Sequence, residues 1–135
     1  MVKTTSVYHG DKHCDITHEP SSARIGTDAP KDNHGKGELF SPTDLLGAAM
    51  GSCMLTTMAI NCEKDNVSLK GSWASVEKEM AANPRRIAKL HVVLHLPQQV
   101  PHDYRKKLEA FALGCPVKES LRSDLDVPVI IHYDV

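Results

Sequence analysis

The spacing of hydrophobic and polar positions changes several times along the chain, and each rhythm predicts a different element. Three short β-prone pieces come first, over about 3–9, 12–18 and 22–26, separated by the turn-forming stretches "HGD" and "EPSS". Residues 27–40, "TDAPKDNHGKGELF", are polar and rich in charge, which predicts an exposed loop of the kind often found beside a site. From Leu45 to Ile60 nearly every position is apolar or small, with no polar stripe before "NCEKDN". Ser41 suits the N-cap of this helix, Pro42 its first position, and Asp44 the acidic third position of a capping box. The helix is expected to run to about Lys64 and, being apolar all round, to be buried on all sides. Gly47, Ala48, Ala49, Gly51 and Ser52 let another backbone come close, as at an interface between helices.

Period-two alternation returns in "VSLKGSWASVEKEM" (67–80) and "KLHVVLHLP" (89–97), joined by a hairpin loop at "AANPRR". "PHDYRKKLEAFALG" (101–114) carries Tyr104, Leu108, Phe111 and Ala112 at helical spacing. In "CPVKESLRS", Pro116 opens a short helix and puts Cys115 at its cap, and "VPVIIHYDV" reads as the last strand. The order β-β-β-α-β-β-α-α-β predicts an α+β fold in a single domain over 1–135.

Charge changes this picture little. The net charge of −1 and the even spread of charged residues argue against a nucleic-acid surface or a polybasic membrane tail. No apolar run is read as approaching the roughly 20 residues of a membrane span, and "MVKTTSVYHG" lacks the apolar core of a signal peptide. A cytoplasmic location is therefore expected, with Cys14, Cys53, Cys62 and Cys115 as reduced thiols suited to redox or metal chemistry. Aromatic residues make up only 4% of the chain. A core this poor in large rings is expected to be completed by a second copy, as an isologous dimer.

Most cysteines in apolar helices are inert core residues, and that reading suits Cys62. Cys115 differs, because a helix N-terminus favours its thiolate. Cys53 lies eleven residues past Pro42, too far for such help, so its activation needs a cation brought by the fold. Arg24, Lys12, Arg85 and Arg86 are the candidates, and the sequence does not choose among them. A metal site is conceivable at "HGDKHCDITH", with His9, His13, Cys14 and His18. On a strand, however, His13 and Cys14 point to opposite faces, and no second ligand pair is present, so no metal is expected. His91 and His95 share a strand face and are expected to meet solvent.

"GELFSPTDLLGAAMGSCM", the "EKEM…NPRRI" hairpin and "CPVKESL" together resemble the osmotically inducible protein C and organic hydroperoxide resistance family. The likeness covers most of the chain after about residue 27. It implies an intertwined homodimer with two central long helices and active sites at the subunit interface. It also implies a peroxidatic Cys53, a resolving Cys115, and reduction of organic hydroperoxides by an external dithiol without metal or flavin. Family members place a glutamate just after the helix-starting proline and pair it with an arginine. Thr43 stands at that position here, with Asp44 one residue on, about 100° round the helix. Arg24 is the obvious counterpart of the arginine, so Arg24 and Asp44 are the possible activating charges. The alternative is a family relative whose interface pocket binds a small apolar ligand, with little or no peroxidase turnover.

Overall fold

The computed structural model describes residues 1–135. Two compact units divide the chain, residues 1–46 and 47–135.

In the first unit β1 (Thr4–Gly10), β2 (His13–His18) and β3 (Ala23–Asp28) form an antiparallel sheet in the order β1-β2-β3. "HGD" makes its turn with positive φ at Gly10, Asp11 and Lys12, 87°, 50° and 61°. The loop that follows is pinned rather than loose. Asp28 is 6% exposed, and its carboxylate accepts the Glu38 N–H at 3.2 Å and meets His13 Nδ1 at 2.8 Å. The Asp28 N–H donates to the Phe40 carbonyl at 3.1 Å, closing the loop's far end. Ser41 and Asp44 then cap each other: the Ser41 N–H donates to Asp44 Oδ2 at 2.8 Å and the Asp44 N–H to Ser41 Oγ at 3.1 Å.

The Asp28 hydrogen bond raises the His13 pKa above its usual 6.5, and His13 holds the Asp28 carboxyl below its usual range. The raised histidine stabilises the fold below its unfolded pKa and loses that contribution as pH rises through the folded value. The depressed aspartate does so above its own unfolded pKa. The pair is therefore strongest at mildly acidic pH. His13→Gln is expected to lower the Tm more at pH 5.5 than at pH 8.5; an equal drop at both would remove the ionic contribution.

The helix α1 (Pro42–Glu63) starts at the Ser41 cap and runs to the end of the apolar stretch. Beyond residue 46 it belongs to the second unit, with β4 (Trp73–Ala81), β5 (Arg86–Leu96), α2 (His102–Leu113), α3 (Pro116–Ser120) and β6 (Val129–Tyr133). The sheet order is β4-β5-β6; β4 and β5 are antiparallel, while β6 returns parallel to β5 after α2 and α3. Met50, Met54, Met58 and Cys62 line one stripe of α1 and are fully buried with Leu90, Leu94, Leu108 and Cys115. By length and composition alone α1 would qualify as a membrane span, contrary to the sequence reading. Its methionine stripe instead packs into the unit's own core.

Two further expectations for this region change. The helix is not buried all round within the chain: Ala48, Ser52, Thr56 and Ile60 are exposed along the opposite face, Ile60 at 61%. Gly47 and Gly51 do permit a close approach, but of β4. A Cβ on Gly51 would lie 3.1 Å from Val76 Cγ2 and 3.3 Å from Ala74 Cβ. The strand expected from 67 begins only at Trp73. Gly71 takes φ +91°, and the Ser72 N–H turns back to the Leu69 carbonyl, so the alternation of "VSLKGS" is that of a loop.

Candidate thiol site

The fourth turn of α1 carries Cys53, partly buried at the edge of the methionine core. Cys115 sits where Gly114 ends α2 and Pro116 begins α3, and it is completely buried. As the N-cap of α3 it adopts an extended backbone (φ −67°, ψ 140°), and its sulfur accepts the Lys118 N–H at 3.4 Å. The Cys115 S–H reaches Met50 Sδ at 3.9 Å. Cys53 is a close enough neighbour of Cys115 to act on its ionisation, and both are free thiols. The fold thus brings together the two cysteines singled out by sequence.

Their electrostatics correct one expectation. Burial, opposed by the backbone N–H groups of Lys118 and Val117, pushes the Cys115 thiol up, and the neighbouring Cys53 pushes it further. The helix it caps has only five residues, too short a row of peptide dipoles to outweigh desolvation. Cys115 is accordingly held as a thiol at neutral pH and is not the favoured thiolate expected of a helix N-terminus. Burial also raises Cys62, which lies at the far end of α1 near Tyr104.

Of the candidate charges, Arg24, Asp44 and Arg86 have side-chain partners of their own. Arg24 pairs with Asp15 at 3.3 Å in the first unit, and Asp44 is held in the reciprocal cap with Ser41. The Lys12 carbonyl accepts the Ala29 N–H in the β1–β2 turn. Arg86 donates to the carbonyls of Ala82 and Pro84, 3.3 and 3.1 Å away, where it closes the β4–β5 hairpin; Arg85 lies exposed in that turn. The histidines of "HGDKHCDITH" find carboxylates or hydroxyls: His9 and His13 meet Asp15 at 3.2 and 3.3 Å, and His18 meets Ser21 at 2.6 Å. His91 is exposed as expected. His95 is not: its ring stacks on Trp73 at 3.9 Å and bonds Asp134 at 2.8 Å.

Two neighbours of the thiols went unnoticed in the sequence, Met50 and Thr57. Thr57 Oγ1 lies 3.9 Å from Cys53 Sγ. The signal was present, since positions three before and four after Cys53 share its helix face.

An α+β fold of this order with a cysteine on the long helix and another at the next helix junction defines a class. The family model described as OsmC-like protein matches residues 35–129, and the chain belongs to that family. A Psychrobacter arcticus protein, provisionally named as one of osmotic stress induction and detoxification response, is 41% identical with a TM-score of 0.92; the match covers 98% of this chain and 96% of that one. An organic hydroperoxide resistance protein OsmC from Legionella pneumophila is 20% identical (TM-score 0.75, 97% and 96% covered). The organic hydroperoxide resistance protein OhrB of Bacillus subtilis is 15% identical (TM-score 0.72, 98% of each chain) and, like the Legionella protein, shows likeness of fold. No curated protein matches the chain.

Proposed function

We propose that this chain is a thiol-dependent peroxidase for small organic hydroperoxides, a single domain acting in the cytoplasm as a homodimer without metal or flavin. The observation that carries the reading is the Cys53 thiol at the edge of an apolar core, within reach of the buried Cys115 thiol. The Cys53 thiolate attacks the distal peroxide oxygen, the O–O bond breaks, and the alkoxide takes a proton to leave as alcohol. Cys53 is left as sulfenic acid. The Cys115 sulfur then displaces its hydroxyl, which departs as water with the Cys115 proton, and a disulfide forms. An external dithiol restores both thiols by exchange and is itself oxidised to a disulfide. Apolar surroundings favour alkyl hydroperoxides over hydrogen peroxide. The exposed face of α1, with Ile60 at its end, supports the homodimer.

Steady consumption of cumene hydroperoxide with dithiothreitol is the expected result, faster than with hydrogen peroxide. A second reading, an OsmC-like protein that binds a small apolar ligand with little turnover, is favoured by Thr43 at the glutamate position and by the capping role of Asp44. Absence of dithiol-dependent turnover at every pH tried would select it.

A further inference from the structure

Cys53 needs a group that favours its thiolate, and its own helix offers one. Thr56 and Thr57 are chemically identical neighbours with different hydrogen bonds. Thr56 sends its hydroxyl back to the carbonyls of Ser52 and Cys53, 3.0 and 3.2 Å away, as helical threonines commonly do. The Thr57 hydroxyl instead meets the Cys53 sulfur at 3.9 Å. A thioether holds the other side of the pair, since Met50 Sδ accepts the S–H of Cys115 and cannot itself donate. Each sulfur thus has a donor beside it, the Thr57 hydroxyl at Cys53 and the Lys118 N–H at Cys115, and Met50 Sδ in addition accepts the Cys115 proton.

We infer that the Thr57 hydroxyl donates to the Cys53 thiolate and fixes its rotamer, so that the pair's remaining proton rests on Cys115. The inference rests on the peroxidase reading only for its consequence in turnover. A hydrogen bond made to the charged form lowers a thiol's pKa and aims the lone pair that attacks. Other groups lie on the elements packed around α1. Cys115 faces it from α3, and Lys78 lies on the β4 face that carries Ala74 and Val76 toward α1. The inward residues of β5, Leu90, Val92, Leu94 and Leu96, are apolar. Asp65, Tyr104 and Lys107 gather at the far end of α1, beside Cys62.

The test is the pH midpoint of Cys53 alkylation by iodoacetamide, followed by peptide mass spectrometry on the whole chain without peroxide. Thr57→Val, which keeps the shape and removes the hydroxyl, is expected to raise the midpoint by about one pH unit. Thr57→Ala should do the same without adding a branch, Thr57→Ser should restore the wild-type midpoint, and Thr56→Val should leave it unmoved. Single-turnover peroxide consumption by Thr57→Val should fall by up to about tenfold at pH 7 and recover above the new midpoint. An unchanged midpoint in both Thr57→Val and Thr57→Ala overturns the inference, as does a rate loss of equal size at every pH. A shifted midpoint in a chain that consumes no peroxide keeps the hydrogen bond and removes the peroxidase reading instead.

Discussion

Cys53→Ser is expected to abolish hydroperoxide consumption, whereas Cys115→Ser is expected to consume about one equivalent and then stop. The difference follows from the environments of the two sulfurs. A serine hydroxyl at Cys53 is hardly ionised at neutral pH and is a far poorer nucleophile than a thiolate, so the O–O bond is never attacked. With Cys115 replaced, the sulfenic acid forms but meets no thiol. Further peroxide then carries Cys53 to sulfinic acid. In the wild-type chain one equivalent should give a Cys53–Cys115 disulfide, which requires their Cα atoms within about 7 Å. Because burial raises the Cys115 thiol, disulfide formation should accelerate as pH rises toward and beyond neutrality, with more of Cys115 then ionised. Peptide mapping after one equivalent is the check. A bridge through Cys14 or Cys62, or first-turnover activity surviving in Cys53→Ser but not in Cys115→Ser, would overturn the assignment.

How much of this was legible in the sequence depends on the range of the interactions involved. Ser41, Pro42 and Asp44 announce the start of α1 through bonds spanning three residues, and the structure forms those bonds. Pro116 likewise announces α3, so the capping position of Cys115 was readable. Its protonation was not, because that depends on burial by α1 and α2 residues distant in sequence. The strand expected from residue 67 failed for a local reason: alternation is blind to backbone handedness, and Gly71 sits at a φ that strands do not use. His95 was placed in solvent because its strand face was read correctly but its cross-strand partner was not. Trp73 lies opposite it in register and covers the ring. The glycines of α1 signalled a close approach, read from the sequence as that of an interface. Only the packing of Val76 and Ala74 identifies β4.

The two faces of α1 should respond oppositely to substitution, and Gly51→Leu is expected to give a large loss of stability. A Cβ there already meets Val76 Cγ2 and Ala74 Cβ at 3.1 and 3.3 Å, tighter than side chains ordinarily pack. Three more carbons have no room unless β4 moves away from a methionine stripe that is fully buried. Overpacking of this kind costs about 3 kcal/mol. For a chain of this length that is a Tm lower by roughly 10 °C. The dimer is not needed for the effect, since both partners in the clash belong to one chain. Ile60 is the converse case, 61% exposed on the opposite face. Ile60→Lys should leave the far-ultraviolet circular dichroism unchanged and weaken self-association in sedimentation velocity, because it puts a charge into the surface proposed to meet the second copy. A Gly51→Leu protein as stable as wild type would remove β4 from that position. An Ile60→Lys protein that associates as tightly as wild type would place the dimer contact elsewhere.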